Sequence, residues 1–243
     1  MEKGYVYKFI HFSNKMSLKQ GDFIEIEFSG KIKNGGLFDS NIFEEVKKLN
    51  PKAKKETIKP LAICLGQSMF LKGIEEFLIG KDLGEYEIEL SPEKAFGKRD
   101  SKLIQRIPIK IFYDQKINPV PGVTFNFDGK IGRVLASSGG RVLIDFNNPL
   151  SGKEVIYKLR VLKIVEDLNE KVKAVNDFLF RRDFEFIVQD KRLVLSINKG
   201  MKQFAELFKD KYKEMLGLEL EVKEVEEKKE KPQENKEEQE KIV

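Results

Sequence analysis

The sequence predicts an α+β fold made of a strand-rich first module, a small β module inserted into it, and a C-terminal α-β-β-α-β domain. Three observations support this prediction. Runs that alternate between apolar and polar residues dominate the first two thirds of the chain. Residues 104–150 instead contain short β-rich segments that are separated by prolines and glycines. From Asp167 onwards, apolar residues recur at helical spacing.

Four apolar runs predict the strands of the first module. "GDFIEIEFSGKI" places Ile24, Ile26 and Phe28 on one side of a half-buried strand. "LAICLG", "GEYEIELSP" and "EVIYKLRVLKIVED" predict three more strands, and the last two also alternate. "NIFEEVKKLN" predicts a short helix capped by Asn41, and "FLKGIEEFLIG" predicts a helix with one apolar face that ends at Gly80.

The segment between the last two of these strands predicts a separate small β module. It holds the pairs Asp128-Gly129 and Gly139-Gly140, which are typical of hairpin turns between β-rich runs. Because "GEYEIELSP" and "EVIYKLRVLKIVED" flank it, the module is predicted to be an insertion at a surface loop of the first sheet. Such an insertion costs little free energy.

The C-terminal domain is predicted from two helical faces and three strands. One face runs from Leu168 to Leu179, and a second runs from Phe204 to Met215 and closes at Gly217. "DFEFIVQDKRLVLSIN" predicts a hairpin between them, and "LELEVKEV" predicts a final strand. Residues 226–243 hold almost no apolar side chains and are predicted to be disordered.

The composition excludes several kinds of site. The chain has one cysteine and one histidine, so an intrachain disulfide and a His/Cys zinc site are excluded, and we expect no metal and no cofactor. Cys64 lies in an apolar strand, while His11 lies in the N-terminal extension, so neither a Cys-His nor a Ser-His-Asp set is predicted. No apolar run approaches the ~18 residues of a membrane helix, and no signal peptide is evident, so we expect a cytoplasmic protein.

The charge distribution raises one further class of partner. Residues 224–243 carry 8 Glu and 5 Lys, while the rest of the chain carries 40 basic and 32 acidic residues. A basic body attracts nucleic acid, but "FLFRRDF" has only two adjacent arginines and no basic block occurs. A mixed, solvated surface is therefore the favoured interpretation, and no nucleic-acid partner is expected.

Asp39, in "GGLFDS", is the one carboxylate with an unusual setting, because it lies beside Phe38 at a strand end. Rotation about an X–Pro amide needs only an apolar pocket, one dipole and one hydrogen-bond donor. The barrier of roughly 18–20 kcal/mol arises from lost amide resonance, and no covalent bond breaks. Scattered phenylalanines, one aspartate and a backbone N–H would suffice for this reaction.

Three stretches together resemble the FKBP family of peptidyl-prolyl isomerases: "GDFIEIEFSGKIKNGGLFDS", "ICLGQSMFLKGIEEFLIGKDLGEYEIELSPEKAFGKRD" and "VIYKLRVLKIVE". The module after "AFGKRDSKLIQRIP" resembles that of the SlyD-like branch with an insert-in-flap domain, and the C-terminal domain resembles that of long archaeal members. The resemblance implies a twisted antiparallel sheet wrapped on a short helix. It implies segments 16–103 and 151–166 for the isomerase, 104–150 for the insert and 167–225 for the C-terminal domain, preceded by an extension at 1–15 and followed by the tail.

The resemblance also implies the site residues. The catalytic set would be Asp39, Phe28, Leu71, Phe96 and Tyr157, with the Leu71 N–H donating to a substrate carbonyl. Substrate contacts would come from Phe38, Phe70 and Ile74 in the pocket and from Phe125, Phe127 and Phe146 in the insert. Further insert candidates are Val123, Val134, Leu143 and Ile144, and about half of the seven insert candidates must form the insert's own core.

Departures from the family pattern leave a second function open. Well-studied members usually carry Tyr at the Phe28 and Phe96 positions, and some carry Trp at the Ile74 position. The favoured function is a peptidyl-prolyl cis-trans isomerase with chaperone activity on unfolded, proline-containing chains. The alternatives are a non-catalytic holdase or adaptor, and a ribosome- or nucleic-acid-associated factor. "FLFRRDFEFIV" suggests either a homodimer contact or the C-terminal domain's own core.

Overall fold

A computed structural model of the protein describes residues 17–225. The predicted extension 1–15 with His11 and the predicted tail 226–243 lie outside the described residues. The chain forms two compact units that divide between Val165 and Glu166.

The described residues contain strands and short helices, as the α+β prediction requires. The strands are β1 (Phe23–Ile32), β2 (Leu37–Ser40), β3 (Leu61–Cys64), β4 (Gly84–Leu90), β5 (Ile104–Pro108), β6 (Thr124–Phe127), β7 (Lys130–Ser138), β8 (Arg141–Asp145), β9 (Val155–Ile164), β10 (Glu185–Gln189), β11 (Arg192–Asn198) and β12 (Glu219–Val225). The helices are α1 (Phe43–Leu49), α2 (Lys72–Leu78), α3 (Ile109–Asp114), α4 (Leu168–Phe180), α5 (Lys202–Glu206) and α6 (Lys209–Leu216).

The first sheet has β9 at its centre, between β1 and β4, and all of its pairings are antiparallel. The edge of β1 that faces away from β9 pairs with β3 near the start of β1 and with β2 near its end. The predicted alternation sends one face of the sheet inwards, where Ile88 and Leu159 pack in one core with Ile74 and Leu78 of α2. The α+β class is confirmed, with the short helix α2 against one face of a twisted sheet.

The prediction that Asn41 caps α1 is wrong, because its side chain binds β1 instead. Asn41 Oδ1 accepts a hydrogen bond from Phe28 N at 2.6 Å, and Asn41 Nδ2 donates to Ile26 O at 2.9 Å. Ile42 takes the cap position and makes no side-chain hydrogen bond there. Asn41 thereby satisfies the backbone of β1 in the gap between its pairings with β3 and β2.

The inserted module forms its own four-stranded antiparallel sheet in the order β5-β8-β7-β6. The predicted turns Asp128-Gly129 and Gly139-Gly140 connect β6 to β7 and β7 to β8. The helix α3 was not predicted, and its Phe112 is buried against Val134 and Ile144. The insert therefore has a small core of its own.

The C-terminal unit is a three-stranded sheet in the order β10-β11-β12, with β10 and β11 antiparallel and β11 and β12 parallel. The helix predicted from Phe204 to Met215 is divided into α5 and α6, which meet at Leu207 and Phe208. These two helices make the crossover that a parallel pair of strands requires. Asp167 caps α4 by accepting a hydrogen bond from Glu170 N at 2.8 Å.

Candidate active site

Five aromatic rings meet between the first sheet and α2. Ring centroids lie 4.8 Å apart for Phe28 and Phe70, 5.7 Å for Phe70 and Tyr157, and 5.8 Å for Phe38 and Tyr157. Phe96 joins the group through Phe38, at 5.6 Å and nearly edge-on. Phe28 and Tyr157 are buried, whereas Phe38, Phe70 and Phe96 are half-buried. The arrangement is a cup of apolar rings with a closed floor and a partly open rim, which we call the aromatic pocket.

Ile74 completes the floor from the first turn of α2. Its side chain is fully buried in the same core as Phe28 and Tyr157. The structure thus brings together every pocket side chain that the resemblance implied: Phe28, Phe38, Phe70, Ile74, Phe96 and Tyr157.

The pairing register of β2, β1 and β9 places Asp39 at the edge of this pocket. Asp39 stands opposite Gly30 of β1, and Gly30 stands opposite Tyr157 of β9. Although Asp39 is exposed as a residue, desolvation of its carboxyl raises the pKa above the ordinary value, and a hydrogen bond from the Ser40 backbone opposes this effect only in part. No cation partners this carboxyl within residues 17–225.

Burial, followed by the charge of Asp39, raises the pKa of the Tyr157 hydroxyl above its usual range. The Asp39 carboxyl and the Tyr157 hydroxyl therefore lie close together in a poorly solvated part of the pocket. An ionised Asp39 there presents a charge that neighbouring protein atoms do not neutralise.

The loop that carries Phe96 is held from two directions. The Gly97 N–H donates to Pro92 O at 2.7 Å and closes a tight turn around Phe96. Ser151 Oγ donates to Phe96 O at 3.0 Å, and Gly152 N donates to Gly97 O at 2.8 Å. These bonds fix the half-buried ring of Phe96 as one wall of the pocket.

Glu75, which was not predicted as a site residue from the sequence, shapes the opposite wall. Glu75 is 3% exposed, and its carboxyl accepts hydrogen bonds from the backbone N–H groups of Gly66 at 2.8 Å, Ser68 at 3.0 Å and Phe70 at 2.7 Å. Glu75 therefore fixes the loop that presents Phe70 and Leu71. A signal was available, because Glu75 lies four residues after Leu71 and three before Leu78, on the apolar face of α2.

The Leu71 N–H has no hydrogen-bond acceptor within residues 17–225. It lies at the cap of α2, directly after Phe70, whose own N–H is taken by Glu75. An unpaired backbone donor therefore lies directly beside Phe70 of the pocket, which also has the Asp39 carboxyl at its edge.

The insert residues fall into two groups. Val134 and Ile144 are fully buried in the insert's own core. Phe125, Phe127 and Phe146 are half-buried and pack edge-on around that core, with Phe127 and Phe146 centroids 5.3 Å apart. Large apolar side chains that the sequence analysis did not name are more open, namely Ile131 at 57% exposed and Tyr113 at 58%.

A polar junction joins the insert to the loop that carries Phe96. Arg99 pairs with Asp145 at the end of β8. Asn147, which is buried, accepts a hydrogen bond from Asp100 N at 2.8 Å and donates to Asp100 O at 2.9 Å. The junction begins three residues after Phe96, so the insert is anchored beside the pocket wall.

Comparisons with known proteins identify this arrangement. Residues 14–110 match the family model described as FKBP-type peptidyl-prolyl cis-trans isomerase, and residues 105–150 match the one described as FKBP26, IF domain. The chain is 30% identical over 112 residues to the FKBP-type 16 kDa peptidyl-prolyl cis-trans isomerase of Escherichia coli, which covers 44% of this chain and 74% of that protein. The chain therefore belongs to the FKBP-type peptidyl-prolyl cis-trans isomerase family, and it is an enzyme of that class.

Two other relatives cover more of the chain. The short-type peptidyl-prolyl cis-trans isomerase of Methanocaldococcus jannaschii is 29% identical over 145 residues, 59% of this chain and 92% of that protein. The SlyD isomerase of Helicobacter pylori is 28% identical over 162 residues, 65% of this chain and 80% of that protein. The SlyD-like resemblance drawn from the motifs is thereby confirmed.

Among residues 17–225, no helix is long and apolar enough to cross a membrane. The same residues contain no group of three or more His, Cys, Asp or Glu side chains placed to hold a metal ion.

Proposed function

We propose that the aromatic pocket rotates X–Pro bonds in unfolded or partly folded chains, and that the insert captures those chains. The observation that carries the proposal is the convergence of five rings, the unneutralised Asp39 carboxyl and the unpaired Leu71 N–H in one cup. A proline ring is apolar and has no N–H, so an apolar cup with a donor at its rim suits it.

The catalytic effect comes from desolvation and from the rim groups. Rotation removes amide resonance, so the twisted amide is less polar than the planar one and gains more from an apolar surrounding. Each ~1.4 kcal/mol by which the pocket favours the twisted amide accelerates rotation about tenfold. The Leu71 N–H holds a carbonyl of the peptide, and the Asp39 carboxylate acts near the rotating bond.

Capture by the insert rests on its exposed apolar side chains and on a free strand edge. Ile111, Tyr113, Val123 and Ile131 are each at least 40% exposed, and Val120 and Leu135 of the same module are exposed as well. The edge strand β6 pairs with β7 alone within the described residues. Such an edge binds an extended chain through main-chain hydrogen bonds, and neighbouring apolar groups hold its side chains.

The test compares two substrates in the intact protein. The double substitution Tyr113→Ser with Ile131→Thr changes only exposed side chains, so it leaves stability within about 0.5 kcal/mol. We expect it to raise KM in a proline-limited protein refolding assay and to leave kcat/KM for a short chromogenic proline peptide unchanged. Leu162→Thr is the matched control, because Leu162 is an exposed strand residue that alternates with the core-facing residues of β9.

The outcomes separate capture from catalysis. An unchanged refolding rate in the double variant refutes capture by these residues. Asp39→Ala tests the pocket, and full activity of that variant towards the short peptide refutes the proposed catalytic site.

The alternative of a non-catalytic holdase rests on Phe96, which brings no hydroxyl to the pocket rim, and on Ile74, which is smaller than Trp. Membership of an isomerase family counts against this candidate. Suppressed aggregation without any acceleration of refolding or peptide isomerisation favours this candidate. We infer a cytosolic location from the single cysteine, Cys64, which is buried, and subcellular fractionation tests it.

The homodimer expectation stays a prediction. Within "FLFRRDFEFIV", Phe180 and Phe184 pack on each other at 5.3 Å, whereas Ile187 is 58% exposed. Light scattering of the purified protein measures the molar mass, and a monomer contradicts the prediction.

A further inference from the structure

Tyr157 occupies the centre of the pocket floor, and the sheet is built around its ring. A Cβ on Gly30 would lie 2.8 Å from Tyr157 Cε1 and Cζ, so only glycine leaves room for the ring at this place. The phenol end of the side chain thus crosses β1 towards β2, which carries Asp39.

The hydroxyl of Tyr157 differs from those of the other buried tyrosines. Tyr86 donates to Asp82 O at 2.6 Å, and Tyr212 donates to Asn176 Oδ1 at 2.5 Å. The Tyr157 hydroxyl has no hydrogen-bond partner among residues 17–225, although the residue is 1% exposed. Within the same residues, Asn176 Nδ2 is the one side-chain N or O atom that is both fully enclosed and without a hydrogen-bond partner. Because the Tyr157 oxygen also lacks a partner, it cannot be fully enclosed. The small accessible part of the side chain therefore includes the hydroxyl.

An unpaired hydroxyl in an apolar cup is unfavourable for the free protein. Phenylalanine would fill the same ring volume without this cost, and the other four rings of the pocket are phenylalanines. A ligand that brings a hydrogen-bond acceptor would remove the cost when it binds.

The chemistry of an X–Pro segment selects the kind of partner. Proline has no N–H, so the segment presents carbonyl oxygens to the pocket, and these only accept hydrogen bonds. An ionised Asp39 also only accepts, which leaves the Leu71 N–H and the Tyr157 hydroxyl as the donors of the pocket.

We propose that the Tyr157 hydroxyl donates a hydrogen bond to a backbone carbonyl oxygen of the bound X–Pro segment, as a second donor beside the Leu71 N–H. The inference rests on the proposed function, because it requires that the aromatic pocket is where the segment binds. The bond forms with both planar and twisted amides, so it contributes to binding rather than to the rotation step.

The test is Tyr157→Phe in the full chain, assayed with a short chromogenic proline peptide. We expect KM to rise about fivefold, as the loss of one neutral hydrogen bond implies, with kcat unchanged. The unfolding temperature should stay the same or rise, because the substitution removes an unpaired hydroxyl. A merely structural hydroxyl would give the opposite shift.

Two controls complete the design. Tyr212→Phe removes a satisfied hydroxyl in the C-terminal unit, so it should lower the unfolding temperature and leave KM unchanged. If Asp39→Ala abolishes activity while Tyr157→Phe keeps its KM, the Tyr157 inference is overturned and the pocket assignment stands. If Asp39→Ala keeps full activity, the pocket assignment itself fails. A lower unfolding temperature in Tyr157→Phe also overturns the inference, because it shows an internal partner for the hydroxyl.

Discussion

Glu75→Gln should destabilise the protein and weaken catalysis together. The Glu75 carboxyl accepts three backbone N–H bonds, two on Oε2 from Gly66 and Ser68 and one on Oε1 from Phe70. A glutamine has one acceptor oxygen and one NH₂ donor in the same space. At least one of the three N–H groups would then face a donor.

The magnitude follows from these three bonds. If the amide oxygen keeps Gly66 and Ser68, the Phe70 bond is lost, and a hydrogen bond to a charged group contributes about 1.5–3 kcal/mol. The two remaining bonds become neutral and weaken. Relief from burying the charge offsets part of the loss. We expect a net loss of about 2–4 kcal/mol in the free energy of unfolding.

Urea unfolding measures this loss, and a peptide assay should show a lower kcat/KM because the loop that presents Phe70 and Leu71 loosens. Glu76→Gln is the matched control, since Glu76 is exposed and pairs only at the surface with Lys72 and Lys94. We expect that control to change stability by less than about 0.5 kcal/mol. Equal stabilities of the two variants would refute the argument that the Glu75 carboxyl organises the loop.

Two further predictions follow from the pocket. Burial raises the pKa of the Asp39 carboxyl above 3.8, so the native state binds this proton more tightly than the unfolded state does, and the carboxylate destabilises the fold above its folded pKa. Asp39→Asn should therefore gain stability near pH 7 and gain nothing near pH 3, and a stability curve that is parallel to wild type across that range contradicts this reasoning. Gly73→Ala should cost on the order of 1–3 kcal/mol and lower kcat/KM, because its Cβ would lie 2.7 Å from Lys94 O in the loop before Phe96. Lys72→Ala is the control for Gly73→Ala. If Gly73→Ala unfolds at the same temperature as wild type, the close packing of α2 against the loop before Phe96 does not contribute to stability.

Local patterns were sufficient to predict most of the fold. The alternation in β1, β4 and β9 follows from one buried face, and glycine pairs mark the turns of the insert. Long-range competition explains the failures. Asn41 suits a helix cap, but a gap in the pairing of β1 offers its side chain two backbone partners. The helix α3 was hidden because "IKIFYD" follows a proline and reads equally well as a strand.

The resemblance named the aromatic residues of the pocket together with Asp39 and the Leu71 N–H, but it did not name Glu75, whose carboxyl holds the loop before α2. Phe28, Phe38, Phe70 and Phe96 stand in motifs whose order and spacing resemble those of the family. The position of Glu75 on the apolar face of α2 indicates burial, but no local pattern tells that the preceding loop folds back onto its carboxyl. The state of the Tyr157 hydroxyl depends on what lies opposite in three dimensions, which no local pattern contains.

The position of β9 has a consequence for how this protein itself reaches its native state. The central strand of the first sheet is the last of that sheet in the chain, and its pairing of Ile24 with Ile164 closes a loop through almost the whole unit. Such a contact is slow to form, because the closure entropy is lost before the pairing stabilises anything. The hairpins of the insert are local and lie inside that loop, so they can form first and bring β4 and β9 together. During synthesis, the edges of β1 and β4 that pair with β9 stay unpaired until residues 155–164 have left the ribosome.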